Sequence, residues 1–357
     1  MIFTEKVGKN TRIKDIAIRA GVSIGTVDRV LHDRGEVSLV TRQKIQQIID
    51  ELNYRPNLFA SSLASRKNIV FATFMPKAAN QDTYWSKPQL GVEKAYNQLK
   101  EYGIRIKQFF FEMEDSSSFS AEAEKLLLSA PDAVMLAPCA KREAIRFTQI
   151  LDDRKIPYLY IDSILPNTHP ISFVAQSSFD SGFLAAKLMD WGLNGNGIIL
   201  LIHVAKELDN ANHLLLREKG FLKYFEQKNS NGRRIFKMEV SGKGEDEISE
   251  HLAGLGLKPV EVNGVFVTNS KVSMAASCFK KLYVTPKMIG YDLIPMNIAM
   301  LKEGKIDFLI CQKPELQAFQ GIHLLFEHIV KKEKIKKEHF TSIDLITNEN
   351  INFYNIY

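Results

Sequence analysis

The fold class predicted by this sequence is a small all-α head with a hinge, followed by an α/β body of two lobes built on parallel sheets. Three observations predict it. Short helical periodicities fill residues 13–57, apolar runs alternate with helical patterns from residue 69 onward, and the charge balance breaks between the two regions. Residues 1–68 carry 12 Lys or Arg against 7 Asp or Glu, whereas the other 289 carry 35 against 34. Most of the net +6 therefore sits in the head, the electrostatic footprint that nucleic acid requires.

At 357 residues, 45% hydrophobic and 25% charged, the chain is too long for one core and implies two or three domains. No apolar run approaches the roughly 18 residues of a membrane span, and residues 1–10 lack the apolar stretch of a secretory signal. A cytoplasmic location is expected. Cys139, Cys278 and Cys311 are far apart and in no ligand-like spacing, so neither a disulfide framework nor a metal site is expected. They read as small buried hydrophobes.

In the head, Ile13, Ile16, Ala17 and Ala20 follow helical spacing until Gly21 supplies a backbone on which a helix ends. Ser23 can cap a second helix running to about residue 32, with Val27, Val30 and Leu31 on one face and no side chain at Gly25 to obstruct close approach. Two short helices joined by a Gly-Val-Ser turn make a helix-turn-helix. Gly35 breaks the chain and Ser38 restarts it. Ile45, Ile48, Ile49 and Leu52 then give a third helix its buried face, which ends before Pro56.

The stretch IKDIAIRAGVSIGTVDRVLHDRGEVSLVTRQKIQQIIDELNYRPN, residues 13–57, closely resembles the head of the lactose-repressor family, with turn, second helix, third helix and the Asn53-Tyr54-Arg55-Pro56-Asn57 exit in register. It departs at Asp28, where many relatives have Ser, and at Ile24-Gly25, where the family varies its base-reading side chains. The resemblance implies a helix in the major groove, with Ile24, Gly25 and Arg29 facing bases. Arg29 is then suited to guanine O6 and N7, and Ile24 to a thymine methyl. Ser23 belongs to the same contact set, and Lys14, Thr26, Arg42, Asn57 and Ser61 to phosphate or sugar contacts. Residues 58–68 resemble the family hinge, in which paired helices push an apolar wedge into the minor groove; Leu63 matches the wedge. Alone, such a stretch is too short for a stable helix.

In the body, residues 69–74, 104–111, 133–138, 158–161, 198–204, 265–268 and 287–291 read as strands separated by helices, the pattern of parallel sheets covered on both faces. Two lobes are expected, at about 69–173 with 314–338 and about 174–313 with 339–357. Order and spacing resemble the type I periplasmic sugar-binding fold, which is also the body of lactose-repressor relatives. In parallel sheets ligands sit beyond the carboxyl ends of strands. Asp162-Ser163 follow YLYI, Asn269 follows VFVT, Asp292 follows MIGY and Gln312 follows FLIC. Arg217 stands three residues before Gly220-Phe221, where sugar-binding relatives place a ligand-contacting arginine. Asp82, Tyr84 and Trp85 lie in the loop after the first strand, where relatives supply a polar group and stacking aromatics. Carboxylates and amides for hydroxyls, an arginine and aromatic faces make a carbohydrate-type site. Asp292, Asn269 and Arg217 match most closely, while Tyr160 reads as core.

Glycines 192, 195 and 197 precede a strand and do not follow one, so they make a loop and no dinucleotide fingerprint. The basic run 331–338 has glutamates interspersed and reads as a solvated crossover. No leucine heptads follow residue 340, which makes a dimer the default over a tetramer. The implied function is a transcription regulator, a repressor that binds a palindromic operator as a dimer and answers to a sugar-like effector. An exported sugar receptor has no use for the head. An α/β enzyme would need a nucleophile elbow, metal-ligand cluster or phosphate loop, none of which the sequence contains. No cofactor is expected.

Overall fold

The computed structural model describes residues 12–31, 34–52, 54, 68–113, 115–193, 195–205, 212–228 and 233–354. Asn57, Ser61 and Leu63, and with them the hinge apart from Asn68, lie outside the described residues. The chain divides into two units, Met1–Lys67 and Asn68–Tyr357.

The described residues of the head form three helices, α1 (Ile13–Ala20), α2 (Ile24–Leu31) and α3 (Leu39–Glu51). Gly21 ends α1 in the left-handed region at φ 69°, which glycine enters without penalty. The Ser23 hydroxyl accepts a bond from the Thr26 amide at 3.1 Å, and Ser38 does the same for Thr41 at 3.3 Å. Both caps satisfy a donor that a helix start leaves orphaned. Ile16, Ala20, Val27, Ile45 and Ile49 close a small core with Tyr54.

Among its described residues the body contains twelve strands: β1 (Ile69–Pro76), β2 (Ile104–Phe111), β3 (Ala133–Leu136), β4 (Tyr158–Asp162), β5 (Ser172–Gln176), β6 (Ile198–Val204), β7 (Arg234–Val240), β8 (Val262–Val267), β9 (Lys287–Tyr291), β10 (Phe308–Cys311), β11 (Glu338–Thr341) and β12 (Asp344–Ile346). They form two six-stranded sheets, β11-β5-β4-β3-β1-β2 and β12-β10-β9-β8-β6-β7. Every pairing is parallel except that of β12 with β10. The two-lobed parallel architecture is as predicted. Leaving β12 and β11 aside, the orders repeat: β4 and β9 hold equivalent places, as do β5 and β10.

The lobe limits need correction. β5 and β11 both belong to the first sheet, so the chain changes lobe after Gln176 and again after Thr341, a few residues beyond the expected limits at 173 and 338. Both strands are short and bounded by polar residues, which hides them from a search for apolar runs. Edge strand β7 escaped for a related reason, since its burial alternates between exposed and buried.

Two backbone-on-backbone helix crossings hold the lobes' outer layers. Helix Ser178–Gly192 crosses helix Asn212–Gln227, and a Cβ added at Gly182 would stand 2.0 Å from the Arg217 carbonyl oxygen, one at Gly220 only 1.9 Å from that of Phe179. In the other lobe, helices Ser86–Leu99 and Pro314–Ile329 meet at Gly91, where an added Cβ would stand 2.0 Å from the Glu315 oxygen. Glycine at these three points is a requirement of close approach.

Candidate functional site

On α2, Val27 and Val30 face the core, leaving Ile24, Gly25 and Arg29 exposed. The apolar Ile24 is 51% exposed on that outer face, next to the capped start of the helix. Lys14 is exposed, while Thr26 and Arg42 are half-buried. Ser23 has a structural duty as well, because its hydroxyl bonds both the amide and the hydroxyl of Thr26.

In the body, the strand-end residues come together from both lobes. Asp162 ends β4 and Asp292 follows β9, the equivalent strand of the other sheet. Both are in left-handed backbone, at φ 72° and 69°, which non-glycine residues enter at a cost. That conformation turns each chain sharply at the strand's carboxyl end. Asp162 and Asp292 are 8% and 3% exposed, buried polar groups that demand partners.

Asp162 accepts a bond from the Tyr84 hydroxyl at 2.5 Å, and its amide donates to Gln317 Oε1 at 2.8 Å. Asp292 accepts from the Gln312 amide at 3.3 Å and from Gln312 Nε2 at 2.6 Å. The other end of the Gln312 amide accepts from Arg217 Nη2, and Arg217 Nη1 donates to the Thr268 carbonyl at 2.6 Å. The guanidinium lies over the Tyr291 ring at 3.9 Å from its centroid, a cation–π contact in a desolvated place. Tyr291 is held in turn by Ser181 at 2.9 Å. Arg217 is 2% exposed, and its Nε, like Ser163 Oγ, is buried without a partner.

Electrostatics follow from this burial. Desolvation raises the Asp292 carboxyl from 3.8 to about 7, against the pull of Arg217 and the Gln312 bonds, and the charge of Asp162 adds to the rise. Burial raises Asp162 as well, opposed by the Tyr84 bond and by Arg217. The Tyr84 phenol is pushed well above its ordinary range by burial and by both carboxylates. The two lobes thus share one electrostatic unit.

Other predicted residues stand differently. Trp85 packs edge-on against Tyr84 at 4.9 Å, beside the cluster. Asp82 is exposed in the preceding turn, and its amide bonds Asn80. Asn269 spends its side chain on the backbone, donating to the Val204 carbonyl at 2.8 Å and accepting from the Lys271 amide at 3.1 Å, the local turn pattern expected of asparagine. Tyr160 is fully buried in the core of its lobe.

Three further groups are not found by looking for polar residues directly after apolar runs. His213 precedes Arg217 by one turn on the same helix, and burial, with Arg217 adding to it, pushes its imidazole down to about 3, so it is neutral. Fully buried His203 bridges Thr268 at 2.9 Å and Glu218 at 2.7 Å, bracing both neighbours of the arginine. Gln176, at the end of β5, donates to the Cys311 carbonyl at 2.9 Å and the Ser342 carbonyl at 3.1 Å, so one amide ties together all three lobe crossings. Gln176→Ala should lower the unfolding free energy by about 2 kcal/mol, roughly 1 for each bond lost. Urea unfolding measures it, and an unchanged midpoint would free the crossings from this tie.

A cavity of about 690 Å³ is lined by Lys87, Leu293, Cys311, Lys313, Phe319 and Tyr354 among others, and by none of the carboxylate–arginine cluster. Its Lys313 is paired with Asp344 at 2.7 Å. Among the described residues there is no cluster that could hold a metal ion, and no helix long and apolar enough to cross a membrane.

Comparison with known proteins accounts for both units. Residues 12–57 match the family of bacterial regulatory proteins of the lacI type, and residues 71–333 match the periplasmic binding protein domain. The ribose operon repressor of Lactococcus lactis subsp. lactis (strain IL1403) is 30% identical over 180 residues, 50% of this chain and 50% of that protein. The chain thus spans about half the length of such curated relatives in alignment. A crystal structure from Bacteroides fragilis, assigned as a LacI transcriptional regulator, superimposes with a TM-score of 0.74 at 28% identity, covering 81% of this chain and 100% of that one. GanP, a glucose-galactose binding protein from Geobacillus stearothermophilus, shares the fold with a TM-score of 0.70 at 19% identity, over 80% of this chain and 99% of that one. With a capped helix-turn-helix head and a two-sheet body whose strand ends converge on one buried cluster, the chain belongs through residues 71–333 to the periplasmic binding protein domain family and carries at residues 12–57 the head of bacterial regulatory proteins of the lacI family.

Proposed function

We propose that the protein is a sequence-specific DNA-binding transcription regulator, a repressor that acts in the cytoplasm as a homodimer on a palindromic operator. The observation that carries this reading is the outer face of α2, where Ile24, Gly25 and Arg29 are exposed beside a capped helix start while the opposite face is buried. A small sugar or sugar derivative is its effector, held by Asp162, Ser163, Tyr84, Arg217, Asp292 and Gln312, with His213 as a further neutral partner. Trp85 flanks that set, and Asn269 and Asp82 contribute at its margin. Hydroxyl groups suit this set because each donates to a carboxylate and accepts from arginine or serine. Closure of the lobes on the effector alters the spacing of the dimer's hinges, and the hinge helices, with Leu63 as wedge, form or melt accordingly.

Arg29→Ala should weaken operator binding by about 1–3 kcal/mol and leave binding to random DNA nearly as it was, because a base contact carries sequence discrimination while phosphate contacts carry general affinity. Anisotropy titrations against operator and scrambled duplexes at matched salt decide it. Equal losses on both would make Arg29 a phosphate contact.

A further inference from the structure

The charge inventory of the cleft is lopsided. Two buried carboxylates, Asp162 and Asp292, share one buried guanidinium, that of Arg217. Arg217 is the cation that acts on both of them. Among the described residues, the remaining titratable groups against them are uncharged: burial keeps the Tyr84 phenol and the Cys139 and Cys311 thiols protonated, and burial beside Arg217 keeps His213 neutral. Behind the arginine, Glu218 is paired with Lys237.

The hydrogen-bonding inventory points the same way. Arg217 already spends its two Nη groups on neutral oxygens, those of Thr268 and Gln312. Within the cluster, the described buried groups left without partners are Arg217 Nε and Ser163 Oγ, few donors for the several acceptor oxygens of a phosphate. A hydroxyl can satisfy both sides of this site at once, donating to an aspartate and accepting from Arg217 Nε or Ser163. A phosphate monoester or a carboxylate offers mainly acceptors, and would be buried beside two aspartates.

Resting on the effector-cleft reading above, we propose that the effector is an uncharged sugar or polyol, and that the cleft rejects phosphorylated and acidic sugars by like-charge repulsion. Placing an anion about 5 Å from a buried carboxylate costs about a hundredfold in affinity at the effective dielectric of such sites.

The test is calorimetry on the full chain at about pH 8 with neutral compounds and their charged counterparts: D-glucose and D-glucose 6-phosphate, D-ribose and D-ribose 5-phosphate, D-galactose and D-galacturonate, and myo-inositol with its monophosphate. The expected result is measurable binding of at least one neutral member, with its anionic counterpart about a hundredfold weaker. In Asp162→Asn, which removes one opposing charge, that gap should narrow by about tenfold; a gap unchanged by this variant overturns the charge mechanism. An anionic member that binds as tightly as its neutral parent, and loses affinity in Asp292→Ala, overturns the inference while leaving the cleft reading in place. Binding by no member of either set overturns both.

Discussion

Asp292→Ala is expected to lower effector affinity by tenfold to a hundredfold or more, because each charge-assisted hydroxyl bond that the carboxylate accepts is worth roughly 1.5–3 kcal/mol. Operator binding without effector should barely change, since Asp292 belongs to the body and the groove-reading surface belongs to the head. Calorimetry with a sugar that binds the wild type, run beside an operator titration, separates the two. Equal effector affinities in wild type and variant would remove Asp292 from the site.

The same residue should give the protein an unusual pH signature. Its folded carboxyl titrates at about 7, raised by burial from 3.8. A group raised on folding contributes stability below its unfolded value and loses that contribution as pH rises through its folded value. The effector-free protein therefore weakens between about pH 4 and pH 7 on this account, by up to about 4 kcal/mol for a shift of some three units. Asp292→Asn removes the penalty at the cost of one Gln312 bond, worth about 1 kcal/mol. It should be more stable than wild type at pH 8, by about 3 kcal/mol, and no more stable near pH 4. Effector binding, which uses the ionised carboxylate, should weaken in the wild type as pH falls below about 7. Urea unfolding at both pH values checks the stability arm, and a variant less stable than wild type at pH 8 would contradict it.

The second large effect concerns the helix crossing that carries Arg217. Gly220→Ala places a methyl group 1.9 Å from the Phe179 oxygen, with the Phe179 carbon and the Phe183 nitrogen each at 2.9 Å. These are backbone atoms, so relief requires two helices to move apart and not one side chain to rotate. The loss should exceed the usual 1–3 kcal/mol of overpacking, even after the roughly 1 kcal/mol by which alanine favours a helix over glycine. Because Arg217 lies on the same helix, one turn earlier, effector affinity should fall with stability. The head, a separate unit with its own core, should keep its structure. A urea midpoint unchanged or raised in Gly220→Ala would show that the crossing has room.

Much of this was legible in the sequence. Residues 13–57 announce the head because each of its three helices has its own apolar period, cap and stop within about a dozen residues. The paired aspartates were legible for a different reason. Parallel strands deliver their last residues to one edge of a sheet, so Asp162 and Asp292 could be selected before their meeting was known.

What only the tertiary structure decided lies in contacts between segments far apart in the chain. Gln176 binds oxygens 135 and 166 residues away, and Asp162 receives its Tyr84 bond across 78 residues. No local pattern encodes such pairs. Asn269 was selected by the same strand-end rule as the aspartates, yet its amide is taken up by its own turn and a neighbouring strand, because a short side chain beside free backbone groups bonds them first. The need for glycine at 182 and 220 shows only in the tertiary structure, where each stands against the backbone of the other helix. Short strands β5, β11 and β12 bury too little apolar surface to register as runs, and it is their pairing that places the lobe crossings. Periodicity reports the face an element will bury; which element meets that face is set by packing, and packing alone turned two aspartates and an arginine from different lobes into one buried charge cluster.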